Sequence, residues 1–287
     1  MSYMLNKLTC DTKLGLYNYF VSSRENVPYY FPVSFEHWCE SMFNDCDVDG
    51  KPLFAELETY LLTDNGIIEG FIQFGQTNFV FDKNGERNYT EKYGVVRNIH
   101  YVKSTESAHL LLDKATEYFD NLGIEKRYAY FHYFGMSCYA RQGKLHACEF
   151  YIEDLLCKYG YTKEHENVYY SKSLEQVSSV AIPEIEFFYK NGDKSVSFMR
   201  DDEHIGGCEL NFLPRSNICY LVWIYIDGKY RHQGLGTKCM SKLFCELHQK
   251  GISRIDTDTA DSNISARGYY AKNGFDDMGR MRSYYTV

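Results

Sequence analysis

The stretch Tyr230–Lys238, YRHQGLGTK, follows the apolar run ICYLVWIYI (Ile218–Ile226) and precedes an amphipathic one. Leu235, Cys239, Leu243 and Leu247 recur at i+4 steps, which predicts a helix starting at the glycines. The apolar run predicts a strand. A strand therefore hands over to a helix through a loop that holds Arg231, Gly234 and Gly236. A helix start leaves amide N–H groups without intrahelical partners, and the helix dipole adds partial positive charge. An anion fits there. Gly234 and Gly236 carry no Cβ, so the backbone can bend sharply and a phosphate can come close. Arg231 adds a fixed charge and Thr237 a hydroxyl. The chemistry suits a pyrophosphate. By itself, Arg-x-x-Gly-x-Gly also describes an ordinary glycine-rich turn, so its surroundings decide.

The chain has 287 residues, 44 % of them apolar and 24 % charged, which fits a soluble globular protein of one large or two ordinary domains. A formal net charge of −8 offers no basic excess for nucleic acid. It is compatible with a cationic small substrate without demanding one. The 10 cysteines form no CxxC pair and the 9 histidines no HExxH, so no metal site is expected. Scattered thiols fit a reducing cytoplasm. The N-terminal MSYMLNKLTCDTKLG has no apolar core of a leader, and no later run reaches membrane-spanning length. A cytoplasmic protein without a membrane partner is the expectation.

Element order repeats along the chain. LGLYNYFVSSREN and SFEHWCESMFND read as helices, the second N-capped by Ser34. FAELETYLLTDNGIIEGFIQF reads as a hairpin turned at Asn65-Gly66. YGVVRNIHYV follows as a strand, then a helix through Ala108, Leu111, Leu112, Ala115 and Phe119, the strand KRYAYFHYF, and a helix ending at Gly160. The polar stretch SKSLEQVSSVAIPE (Ser171–Glu184) marks a boundary. After it, hairpin, strand, helix, strand and helix return in shorter form. Lys158-Tyr159-Gly160-Tyr161 matches Lys272-Asn273-Gly274-Phe275, and Tyr169-Tyr170 matches Tyr284-Tyr285. The expectation is two copies of one mixed α/β unit, residues 1–172 and 180–287. The second copy has no room for the two opening helices of the first.

IDGKYRHQGLGTK, followed by a helix, a strand and NISARGYYAKNGF, resembles the GNAT superfamily of acyl-CoA-dependent N-acyltransferases. The resemblance rests on Arg231, Gly234 and Gly236, then Asn263, Ala266, Tyr270, Gly274 and Phe275. It is specific over Val196–Val287 and extends to the first copy as fold order. It implies two tandem domains, each a mixed, mostly antiparallel twisted sheet flanked by helices. It further implies that acetyl-CoA is the acyl donor. The amides of Arg231, His232, Gln233, Gly234, Leu235, Gly236 and Thr237 would hold its pyrophosphate. Ile224, Tyr225 and Ile226 would offer main-chain groups to the pantetheine arm, and one amide would stabilise the oxyanion. Asn263 would contact the pantetheine or the helix start. Tyr270 would protonate the leaving thiolate, since a phenol near ~10 can serve a thiol near ~8.5. Tyr269 faces elsewhere and reads as structural.

The amine must also lose a proton, and the family often uses a glutamate near the middle strands. Glu209 is the nearest candidate; it also reads as a strand residue pairing across the sheet. Asp256 and Asp258 are weaker candidates. At the equivalent junction the first copy reads HYVKSTESAHLLLD, without glycines, and with Glu106 where the phosphate would go. Ser104 or Thr105 could cap that helix. The first copy is expected to bind no CoA, and Met1–Ser171 to wall part of the acceptor site. The function expected is acetyl transfer to a small-molecule or peptide amine, without metal or acyl-enzyme. The alternative is a non-catalytic CoA-binding or protein-interaction module. Neither the acceptor nor the oligomeric state is legible.

Overall fold

The structure is a computed structural model, and it describes residues 3–28, 30–31, 33–44, 46–47, 49–102, 105–136, 143–177, 182–213 and 216–286. The elements run β1 (Tyr3–Lys7), α1 (Lys13–Arg24), α2 (Phe35–Phe43), β2 (Phe54–Asp64), β3 (Ile67–Thr77), β4 (Val80–Phe81) and β5 (Arg87–Asn88). Next come β6 (Gly94–Tyr101), α3 (Thr105–Asn121), β7 (Arg127–Ala129), β8 (Leu145–His146), α4 (Phe150–Lys158) and β9 (Thr162–Ser173). The rest are β10 (Glu186–Lys190), β11 (Ser195–Arg200), β12 (Glu203–Phe212), β13 (Ile218–Ile226), α5 (Leu235–Gln249), β14 (Arg254–Ala260), α6 (Ile264–Lys272) and β15 (Asp276–Thr286). No helix among the described residues is long and apolar enough to cross a membrane.

The chain divides into two compact units, Met1–Glu166 with Met281–Val287, and Asn167–Arg280. In the first, β1, β2, β3 and β6 pair antiparallel in that order, and β6 pairs β7 in parallel. The last residues of β15 then pair β7, Tyr284 opposite Ala129. In the second, β10, β11, β12 and β13 pair antiparallel, β13 pairs β14 in parallel, and β14 pairs the Asn167–Ser173 part of β9. Each is a mixed sheet flanked by helices, the tandem mixed α/β arrangement that the sequence predicts. Each unit takes the strand beside its parallel pair from the tail of the other copy's sequence. The sequence boundary at Ser171 therefore falls inside β9.

Local chemistry accounts for the hairpins and caps. Asn65 and Gly66 sit at φ +49° and +81°, as a tight turn between β2 and β3 requires. Ser34 accepts from the His37 amide at 3.3 Å and starts α2. The Ser104 cap lies outside the described residues, as do the side chains of Thr105 and Glu106. One strand is shorter than KRYAYFHYF suggests: β7 stops at Ala129 because Tyr130 turns to φ +52°. In the second unit α5 and α6 cover one sheet face. Leu235, Cys239, Leu243 and Leu247 pack there with Leu221 and Ile255, all almost without solvent contact. The four helix residues are those whose spacing announces the helix.

Candidate active site

The second unit's site starts from a break in sheet pairing. β13 and β14 pair from Ile218 opposite Arg254 to Leu221 opposite Thr257 and no further, although β13 runs on to Ile226. A bulge at Val222, between the pairs Glu209–Trp223 and Leu210–Leu221, reinforces the divergence. The Asp227 amide donates to the Ile205 carbonyl on β12 at 2.9 Å. By alternation, Ile224 and Ile226 turn their main-chain groups to the opposite, open edge. Arg231 Nε takes the Ile226 carbonyl at 2.8 Å. Ile226 thus has its carbonyl committed within the loop, and Ile224 is left as the residue whose edge faces the gap.

The loop then delivers the start of α5 to this gap. His232 and Gly234 both adopt positive φ, +62° and +77°, and Gly234 caps the helix. A Cβ on Gly236 would meet the Tyr269 ring at 3.2 Å and Ile226 Cγ1 at 3.5 Å. Tyr269 donates its hydroxyl to the Gly236 carbonyl at 2.7 Å, so α6 clamps the first turn of α5. Tyr269 thus does not face elsewhere, as its place beside Tyr270 suggests: its hydroxyl holds the helix start and its ring lines the cleft. Asn263 accepts from the Ala266 amide at 3.1 Å and caps α6, which commits its oxygen to the helix start.

These groups line one cleft of about 490 Å³. Its walls include Ile224–Ile226, Arg231, His232, Gly234–Thr237, Asn263 and Tyr270. Tyr230, Ser265, Ala266, Tyr269 and Lys272 join them. Gln233 is not among the walls; its amide turns to the Lys229 carbonyl at 3.1 Å. Tyr270 is 5 % exposed, and burial raises its phenol above the usual value. Its hydroxyl lies 3.5 Å from Thr257 Oγ1, which donates to the Leu221 carbonyl at 2.9 Å, so Tyr270 sits where the strands part. A larger cavity, about 780 Å³, adjoins the cleft through Thr237 and Lys272.

The carboxylates separate by role. Glu209 is on the sheet face away from α5 and α6 and accepts from the Trp223 indole at 2.7 Å; it is not a cleft wall. Asp256 is fully buried and accepts from Tyr169, Ser171 and Arg254, which makes it structural. Asp258 accepts from Tyr220 and Asn167.

The first unit repeats the geometry and fills it. β6 and β7 stop pairing after Val96 opposite Ala129, and Arg97 is the bulge. Counting on, Ile99 stands where Ile224 stands. The Tyr130 hydroxyl donates to the Ile99 carbonyl and accepts from the Ile99 amide at 3.2 Å. A side chain thus occupies the edge that is open in the second unit. Helices α4 and α6 are each 9 residues long and end in lysine. By that match Leu156 replaces Tyr270, and Glu149, buried against Arg24, replaces Asn263. The positive φ of Tyr130 and its bonds to Ile99 carry no sequence signature, so the plug was not legible. Lys272 could have been noticed, two residues past Tyr270 on the motif helix.

The acetyltransferase (GNAT) family model matches residues 152–275. The match covers less than half of the chain and takes in β13, the glycine loop, α5, β14 and α6. Solved structures extend the likeness to the full length. A tandem GNAT protein from the clavulanic acid biosynthesis pathway aligns at TM-score 0.67 and 10 % identity, over 99 % of this chain and 98 % of that one. A GCN5-related N-acetyltransferase from Sphaerobacter thermophilus aligns at 0.62 and 10 % identity, over 99 % and 95 %. The glucosamine N-acetyltransferase region of a fungal multi-domain β-N-acetylglucosaminidase aligns at 0.65 and 13 % identity. There the match covers 99 % of this chain and 38 % of the fungal one, so the present chain spans well under half of that protein. At such identities these neighbours speak for the tandem GNAT fold alone.

Proposed function

We propose that the second unit transfers an acetyl group from acetyl-CoA to a primary amine by direct attack, and that the first unit binds no CoA. The observation that carries this is the meeting of the glycine loop, the open Ile224 edge and the Tyr270 hydroxyl in one cleft. The donor fits: a helix start free of side chains at Gly234 and Gly236 leaves room for a pyrophosphate, and Arg231 stands beside it. Acetyl-CoA, when bound, supplies the acetyl group as an activated thioester. The Ile224 main chain offers a strand-like edge to an amide-bearing arm and a fixed donor to a carbonyl oxygen. Tyr270 holds a proton at its hydroxyl for the leaving sulfur. Glu209, on the other sheet face, is the carboxylate offered to the arriving amine's proton, directly or through water. No acyl-enzyme is invoked. Exposed free thiols at Cys10, Cys46, Cys148 and Cys157 fit a reducing, cytoplasmic setting.

Tyr270→Phe tests the acid role. It should lower kcat by about 100-fold or more, the usual share of a general acid, and leave acetyl-CoA affinity within about twofold. Because burial raises the Tyr270 phenol, the parent's kcat should show no alkaline fall from this group below about pH 10. An unchanged kcat in the variant would remove Tyr270 from the chemistry. Acetyl-CoA binding without turnover on a broad amine panel would favour the non-catalytic alternative.

A further inference from the structure

The sheet face away from α5 and α6 carries an exposed aromatic and acidic cluster of which the transfer chemistry uses Glu209 alone. Ile224 and Ile226 pack toward the helices, so Trp223 and Tyr225 point the other way. They are 41 % and 40 % exposed, with ring centroids 5.6 Å apart. Glu209 stands opposite Trp223 and is fixed by its indole. Gly207 stands opposite Tyr225 and leaves bare backbone beside the phenol. Beyond the strand end, Asp227 Oδ2 lies 3.2 Å from His204 Nδ1, and the His204 ring is 6.3 Å from that of Tyr225. The cations nearby are committed: Lys229 pairs with Glu203, and Arg231 turns to the Ile226 carbonyl. The face therefore offers two carboxylates and two π faces with no neutralising lysine or arginine on either carboxylate among the described residues.

We infer that the amine acceptor carries a second cationic group, held by the Tyr225 ring and the Asp227 carboxylate while the reacting amine lies at Glu209. This rests on reading the cleft as an acyltransferase site. A cation is drawn to an aromatic face and to a carboxylate that no lysine or arginine neutralises, and the two together favour a diamine over a monoamine. The spacing follows from the strand. Tyr225 lies two residues past Trp223, roughly 7 Å along β13 at the usual rise, and Asp227 follows just past the strand end. That matches the reach of a short aliphatic diamine or a polyamine.

Binding of cadaverine and of pentylamine to the full chain, followed by tryptophan emission, tests this. The chain has 2 tryptophans, and Trp38 is fully buried, so an amine at the surface reports through Trp223. Trp223→Phe, which should abolish the signal, is the control. Cadaverine should bind about tenfold more tightly than pentylamine, the scale of one cation–π or ion-pair contact. Asp227→Asn should bring cadaverine close to pentylamine and leave pentylamine itself unchanged. Equal affinities in the parent, or an unaltered cadaverine affinity in Asp227→Asn, would overturn the inference. Acetyl-CoA titration of the same samples separates the two ideas: lost donor binding in the parent would sink the acyltransferase reading, whereas intact donor binding with no diamine preference would sink the acceptor site.

Discussion

Gly236→Glu should reduce acetyl-CoA affinity by roughly a thousandfold while the protein stays folded. Two unit charges about 4 Å apart at an effective dielectric of ~20 repel by ~4 kcal/mol, which corresponds to about three decades in Kd. The helix itself should tolerate the change, because a carboxylate in the first turn favours the dipole that it withholds from the phosphate. The new Cβ meets the Tyr269 ring at 3.2 Å, a contact that a small shift of the ring relieves. Gly236→Ala isolates that steric part and should cost far less. Calorimetric titration of both variants, beside their thermal unfolding, reads the two effects apart. If Gly236→Glu bound like the parent, the loop would be a tight turn and nothing more.

The second large effect concerns where the domain can be cut. A fragment of residues 180–287 should fail to fold, whereas residues 165–280 should unfold cooperatively and bind acetyl-CoA. The shorter cut removes Asn167–Ser173, which pairs β14 from Ala260 to Arg254. It strips Val168, Tyr170 and Leu174 from the core, where each is buried. Burying such side chains is worth about 1.5–3 kcal/mol each. It also deprives buried Asp256 of Tyr169 and Ser171, leaving Arg254. Each hydrogen bond lost to a charged group costs about 1.5–3 kcal/mol more. Those losses exceed the lower end of ordinary domain stability, ~5 kcal/mol. Circular dichroism and urea melts of both fragments decide it; a stable 180–287 fragment would mean that the β9 strand is dispensable.

That strand also marks what the sequence could and could not reveal. The loop at Tyr230–Lys238 was legible as the turn that starts α5, because the left-handed cap at Gly234 favours glycine, and glycine is visible as a letter. The helix α5 was legible because its buried face repeats every four residues. The hairpin at Asn65-Gly66 was legible from turn chemistry. Assignment of Asn167–Ser173 to the second unit was not, because strand pairing across distant sequence leaves no local pattern. The motif left Asn263 between the pantetheine and the helix start, and it did not show that Arg231 anchors on Ile226; contacts put the Asn263 oxygen on the helix start and the Arg231 guanidinium on the carbonyl. The loss of glycines in the first copy was visible. Its replacement by a tyrosine hydroxyl on Ile99 was not, since nothing marks Tyr130 among 27 tyrosines.

On the proposed reading, one unit of this tandem fold binds the acyl donor, while the other has filled its own equivalent cleft. Calorimetric titration of acetyl-CoA into the full chain tests it most directly. One site per chain is expected, since the Ile224 edge is open and the Ile99 edge is held by Tyr130. Two sites per chain would contradict it, and so would a single site that survives Gly236→Glu.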